Sequence, residues 1–265
     1  MFRVELGKAA RRWRTFVLAA VLASVPLLIV LALVLNPPPP GAADGFFTLA
    51  TRSGLFAPLA ALTAMQPFLL PLAAGLLAGD SIAGEASAGT LRYLLVRPVR
   101  RPVLVLQKYA SVVALLALAV ALVLVVGIAA GGIAFGLGPA PTLSGTTLSS
   151  SEGLVRLAGA GLYALAGVAG LAAIGLFISS LTESGPGATV ATVAIAIIGQ
   201  IVGAISSLEA IHPFLLNEYW LAFFELFRSP VSLDLMLDGM AVFGAYIVVF
   251  LGLAVAVMTR RDVLS

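Results

Sequence analysis

Residues 79–109 read GDSIAGEASAGTLRYLLVRPVRRPVLVLQKY, and long apolar runs flank them on both sides. Two acids, Asp80 and Glu85, and five bases, Arg92, Arg97, Arg100, Arg101 and Lys108, interrupt an otherwise apolar chain. A polar, basic island of this kind is a loop between two membrane spans, within reach of a soluble partner. Leu55–Ala78 before it and Val103–Phe135 after it are each long enough to cross about 30 Å of hydrocarbon.

The composition agrees with that reading. The chain is 61% hydrophobic and only 10% charged, with a mean hydropathy of +1.12, whereas soluble domains carry about 25% charged residues. It has no Cys, which excludes disulfides, Cys-ligated zinc and a thiol nucleophile.

Outward from the loop, six spans follow from apolar length. They are 16–35, 55–78, 103–135, 154–181, 188–208 and 239–258, and together they make one all-α membrane domain. Residues 1–15 mix Arg3, Lys8, Arg11, Arg12 and Arg14 with Phe2, Val4, Leu6 and Trp13, which suits a helix lying in the headgroup layer. A signal peptide would have a shorter apolar core and a small-residue cleavage site, so 16–35 is expected to be a retained anchor. Pro37–Pro40 cannot continue a helix, whereas Pro58, Pro67 and Pro71 inside the second span are expected to kink it. Gly127, Gly131, Gly132 and Gly136 form two small-x3-small pairs suited to close helix packing. Residues 209–238 are amphipathic and aromatic, which fits a half-inserted outer segment before the last span.

Charge orients the spans. With both termini and the 79–109 loop on one side, that side collects 12 of the 15 Lys and Arg, leaving Arg52, Arg156 and Arg228 opposite. The positive-inside rule makes the basic side cytoplasmic. A plasma (inner) membrane location with both termini inside is therefore expected.

No enzyme motif is present. The chain lacks a phosphate-binding G-x-x-x-x-G-K-[ST] loop, an H-E-x-x-H pair and a G-x-S-x-G elbow. Its single histidine, His212, reads as a capping or interfacial residue. Glu209, Glu218, Glu225, Asp234 and Asp238 read as a solvated outer rim. No catalytic residue, metal ligand or cofactor bound by this chain is expected, and no nucleic-acid partner. No span shows a firmly central ionisable residue, so an ion relay has no obvious carrier.

Within the loop, Gly89 should break a helix and Thr90 cap a second one. Leu91, Leu94 and Leu95 would share a face of that second helix, with Pro98 ending it. An ordinary lipid-facing basic loop explains the arginines but not this cap and apolar face. The segment Glu85-Ala-Ser-Ala-Gly89-Thr90-Leu91-Arg-Tyr-Leu94-Leu95-Val-Arg-Pro98-Val-Arg-Arg101 resembles the E-x3-G-T-L-x2-L-L-x2-P-x2-R segment of ABC-2 type permeases. These are membrane subunits of ATP-binding-cassette exporters.

The resemblance implies a dimer of two permease chains, the same or different. It also implies two copies of a separate ATPase subunit carrying ATP and Mg, and a coupling helix docked on that ATPase. The matching positions are Glu85, Gly89, Thr90, Leu91, Leu94 and Leu95; Arg92 stands where the family is often acidic or variable. Spans without charge favour an amphiphilic or hydrophobic cargo, with Thr63, Gln66, Thr192 and Gln200 as the candidate path. An accessory role in metal-enzyme maturation is the alternative within the same family. An ATP-independent secondary transporter and a non-transporting membrane scaffold or intramembrane enzyme are the alternatives outside it.

Overall fold

The computed structural model describes residues 7, 13–39, 46–89, 101–142 and 144–260. Most of the expected headgroup-layer helix, and the whole expected coupling helix with Thr90, Leu91, Arg92, Leu94 and Leu95, lie outside the described residues. Apart from one small antiparallel hairpin, Ala140–Pro141 (β1) against Thr147–Leu148 (β2), the regular structure described is helical.

The α-helices are α1 (Trp13–Leu35), α2 (Phe46–Arg52), α3 (Ala57–Met65), α4 (Leu69–Ser87), α5 (Arg101–Phe135), α6 (Ser150–Leu181), α7 (Gly185–Gly203) and α8 (Asp234–Arg260). Six of these, α1, α4, α5, α6, α7 and α8, are long and apolar enough to cross a membrane. The protein is an all-α multi-pass membrane protein.

Side-chain contacts fix how the helices alternate. Arg101 at the start of α5 donates to the carbonyls of Met258 (2.8 Å) and Thr259 (3.4 Å) at the end of α8. Arg14 at the start of α1 lies 4.0 Å from Asp80 in the last turns of α4. Ser179 at the end of α6 bonds to α4 at residues 79–83. Thr189, near the start of α7, donates to Gly75 of α4. One end of the bundle therefore holds the starts of α1, α5 and α7 and the ends of α4, α6 and α8. At the opposite end, Gly54 donates to the Gly136 carbonyl (2.9 Å) and Arg156 donates to the Leu226 carbonyl (2.6 Å).

The centre of the bundle is α6, which packs on α4, α5, α7 and α8. Of its most apolar 18-residue window 72% is buried, against 17% for α8. Its small residues, Gly159, Gly161, Gly167, Gly170 and Gly175 among alanines, are what let four neighbours approach one helix. The exposed faces are apolar where the bundle meets lipid, as at Leu162, Val190, Ile198 and Val248.

The second span is not one helix. A 3-10 turn (Gly54–Phe56) leads into α3, which stops at Met65, and α4 starts at Leu69. Pro67 and Pro71 carry no N–H, so two links of the backbone ladder are missing within five residues. Pro71 would have served the Pro67 carbonyl. The Gln200 side chain of α7 serves it instead, with Nε2 2.6 Å away, the kind of substitution that makes a broken membrane helix tolerable.

The same span also runs further than expected. Helix α4 continues past Ala78 to Ser87, so the expected loop start at Gly79 is corrected by nine residues. Gly79 permits this: a Cβ there would lie 2.7 Å from the Thr189 backbone nitrogen of α7. The polar residues that made 79–87 read as a loop are instead packed and bonded. Gly89 ends the helix in the left-handed region at φ +67°, where glycine carries no Cβ penalty.

Boundaries further along the chain shift too, and the last helix begins at Asp234 rather than Gly239. The fifth span stops at Gly203 rather than Leu208, and Ser206–Phe214, Leu216–Tyr219 and Ala222–Phe227 form three short 3-10 helices. His212 meets the Val202 carbonyl at 3.2 Å, capping the last turn of α7. Tyr219 donates its hydroxyl to the Pro213 carbonyl. Burial, then the carboxylates of Asp238 and Glu218, push its phenol above the ordinary value.

Candidate functional site

The residues that make α4 and α5 one unit lie at the roots of the 89–101 connection. Lys108 is two turns into α5, and Glu85 is in the last turn of α4. Their side chains meet at 2.8 Å, with 2% and 10% of their surfaces exposed. The Lys108 ammonium also donates to the Ser81 carbonyl at 2.8 Å. An ionised pair so deeply placed in an apolar bundle is held by geometry and extra hydrogen bonds rather than by Coulomb attraction alone, because burying both charges costs several kcal/mol.

Ser179 of α6 completes the arrangement. Its hydroxyl donates to the Gly79 carbonyl (2.7 Å) and accepts from the backbone N–H groups of Ile82 (3.1 Å) and Ala83 (2.9 Å). A hydroxyl has one donor and two acceptor sites, so every site is used, and all three bonds go to one turn of α4. Asp80, on the same turn, lies against Gly84 and Gly185, at the N-terminus of α7. The helix dipole there favours a carboxylate. Helices α5, α6 and α7 therefore grip the same two turns of α4.

Ser179→Ala is expected to remove the side-chain bonds that tie this turn of α4 to α6. At about 0.5–1.5 kcal/mol for a net hydrogen bond, the unfolding midpoint in detergent should fall. Hydrogen exchange should quicken at Ile82 and Ala83 before it does elsewhere in α4. Unchanged exchange at those two amides would show that the serine does not hold the turn.

Helix α5 has 35 residues and is about 52 Å long at 1.5 Å per residue, well beyond the hydrocarbon thickness. Its uninterrupted apolar run begins at Val112, one turn after Lys108. The ion pair sits about two turns from the connection.

Of the residues expected to contact an ATPase, Glu85 and Gly89 fall within the described residues. Glu85 is turned inward onto Lys108, and Gly89 is exposed at the end of α4. The four residues of the candidate path are only partly brought together. Gln66 and Gln200 both lie at the break between α3 and α4; Gln66 is 1% exposed, and neither of its amide atoms has a partner among the described residues. Thr192 is fully buried, bonds to the Ala188 carbonyl of its own helix and packs on Gly175. Thr63 bonds to Leu59 of its own helix. Among the described residues, no three of His, Cys, Asp and Glu converge to hold a metal ion.

Residues 47–264 match the family model described as "Protein of unknown function (DUF2705)". The chain belongs to the DUF2705 family. No curated protein matches it. The match takes in all of the site on α4, α5, α6 and α7 and leaves out α1. In this DUF2705 chain, sequence reasoning missed Lys108 and Ser179. The signal for Lys108 was a lone charge at the edge of an apolar helix, but its partner stands 23 positions away and only folding pairs them. Ser179 carried no such signal, since hydroxyls at the end of a membrane span are common.

Proposed function

We propose that this chain is the permease subunit of an ABC-2 type exporter. In this reading two permease chains form a dimer, each seated on an ATPase subunit that binds ATP and Mg. The cargo is amphiphilic or hydrophobic and moves outward. Both termini are cytoplasmic in the plasma (inner) membrane.

The observation that supports it most is the joining of the two helices that carry the 89–101 connection. A loop that receives a push transmits it only if its roots do not give. Here the roots are tied to each other by Lys108, Glu85 and the Ser81 carbonyl, and to α6 by Ser179. Closure of the ATPases on ATP would move the connection, α4 and α5 as one body. The face of Leu91, Leu94 and Leu95 would supply burial in the ATPase groove, at about 25 cal/mol per Å2. Thr63 and Gln200, half-exposed beside the helix break, would line the path between the two permease chains.

Co-expression with the ATPase encoded beside it tests the reading. The two are expected to co-elute from detergent with ATP turnover, and changing Leu91, Leu94 and Leu95 together to Asp should dissolve the complex without lowering permease yield. A chain that elutes alone, or a complex indifferent to the triple change, would remove the main support. ATP turnover stimulated only by small ions would instead overturn the cargo class.

The buried Glu85–Lys108 pair favours one second reading, a secondary transporter, since ionisable groups within membrane helices mark ion pathways. Substrate movement in proteoliposomes on an ion gradient without ATP would select it.

A further inference from the structure

The break between α3 and α4 is held by few bonds. Phe68 leaves helical geometry there, at φ −139° and ψ −53°, and α4 starts without a side-chain cap. The Gln66 N–H reaches the Leu62 carbonyl before the break at 2.9 Å, and the Leu72 N–H reaches the Phe68 carbonyl after it at 2.8 Å. Between them the Phe68 N–H meets the Met65 carbonyl at a longer 3.3 Å. Among the described residues, the side chain that ties the break to another helix is that of Gln200, 2.6 Å from the Pro67 carbonyl.

The helices on either side are packed more tightly. Helix α3 fits against α5, where a Cβ at Gly127 or Gly131 would strike Pro58 or Ala57, and its Leu59, Ala60 and Leu62 are fully buried. Helix α4 is gripped by Ser179, Lys108 and Thr189. Two packed bodies joined by a weakly bonded segment have the anatomy of a hinge.

Gln66 points to a second position of that hinge. Its carboxamide is buried, and neither amide atom has a partner among the described residues. Buried carboxamides are ordinarily paired, and inside a bilayer no bulk water relieves one that is not. The break itself offers both kinds of partner. The Pro67 carbonyl, next in the chain, takes a donor and is now held by Gln200. The uncapped first turn of α4 presents N–H groups that take an acceptor. A carboxamide carries both. Gln200 is half-exposed, so it can release the Pro67 carbonyl without becoming a buried unpaired group itself.

We propose that this break is a two-position joint in which Gln200 and Gln66 are alternative holders. In the position described, Gln200 ties α7 to the break and Gln66 is unpaired. In the other, Gln66 takes the polar groups of the break, Gln200 lets go, and the end of α7 moves away from α3. The joint depends neither on an ATPase nor on the identity of the cargo.

The chain has no Cys, so spin labels go onto introduced cysteines with no native one to remove. Leu35→Cys, at the exposed end of α1, and Ile201→Cys, exposed near the end of α7, report how far α7 stands from the body that α1 forms with α3 and α5. Pulsed electron–electron resonance on this labelled chain in lipid nanodiscs is expected to give two separations. Gln66→Leu should keep one of them and, by removing the unpaired amide, raise the unfolding midpoint by about 2–4 °C. Gln200→Leu should keep the other. A single separation that neither change moves would overturn the proposal. So would a lower midpoint in Gln66→Leu, because the amide would then already be paired, as by a buried water. Should Gln200→Leu not fold, the two readouts on Gln66→Leu decide alone.

Discussion

Lys108→Met is expected to lower the stability of the detergent-solubilised protein by about 3–5 kcal/mol, the usual loss when one partner of a buried ion pair is removed. The loss comes from what remains. Glu85 would stay buried on a turn that Ser179 holds in place, without the ammonium that now lies 2.8 Å from it. The Ser81 carbonyl would lose its side-chain donor as well. The double variant Lys108→Met with Glu85→Leu should recover most of the loss, because an apolar pair of similar volume avoids the desolvation of both charges. Unfolding in rising sodium dodecyl sulfate, followed by tryptophan fluorescence, gives both values. A single variant within about 1 kcal/mol of the parent, the range of exposed pairs, would mean that the pair is hydrated and does not brace the connection.

The second large effect is expected at Gly131. A methyl there would sit on the Gly54 carbonyl oxygen and against Ala57, while Gly127, one turn earlier, lies on Pro58. These contacts are with backbone or with proline, and neither can rotate away. Gly131→Val should therefore exceed the 1–3 kcal/mol typical of overpacking and separate α5 from the start of the second span. The measurable result is a protein that no longer elutes as a single species from detergent. Gly136→Ala is the comparison: nothing crowds its Cβ, but its φ of +77° penalises any side chain, so a modest loss with the elution profile intact is expected there. A Gly131→Val chain that melts like the parent would show that the two elements do not meet at this crossing.

These two glycines show where sequence pattern stops. Gly127-x3-Gly131 and Gly132-x3-Gly136 look alike in the chain. In the fold the first is a packing face, whereas the second pairs a glycine against the Leu137 side chain with a helix-ending residue in the left-handed region. Spacing records that two small residues share a helix face; it does not record whether another helix comes to that face.

The all-α class and the six spans were legible from the sequence because both depend on local quantities. Apolar length compared with bilayer thickness marks a span, and prolines and glycines mark where helices weaken or end. What the chain could not disclose was long-range pairing. Residues 79–87 looked like loop because Asp80, Ser81 and Glu85 are polar; they are helix because Lys108, Ser179 and the α7 N-terminus satisfy that polarity from 23 to about 100 positions away. The Pro67 carbonyl orphaned by Pro71 likewise finds Gln200 only once α7 has packed beside the break. Local propensity sets which segments become helices, since each residue carries its own share of that free energy. Which polar groups are stranded and which are matched is a property of pairs, decided only when the bundle closes and water is excluded from between its helices.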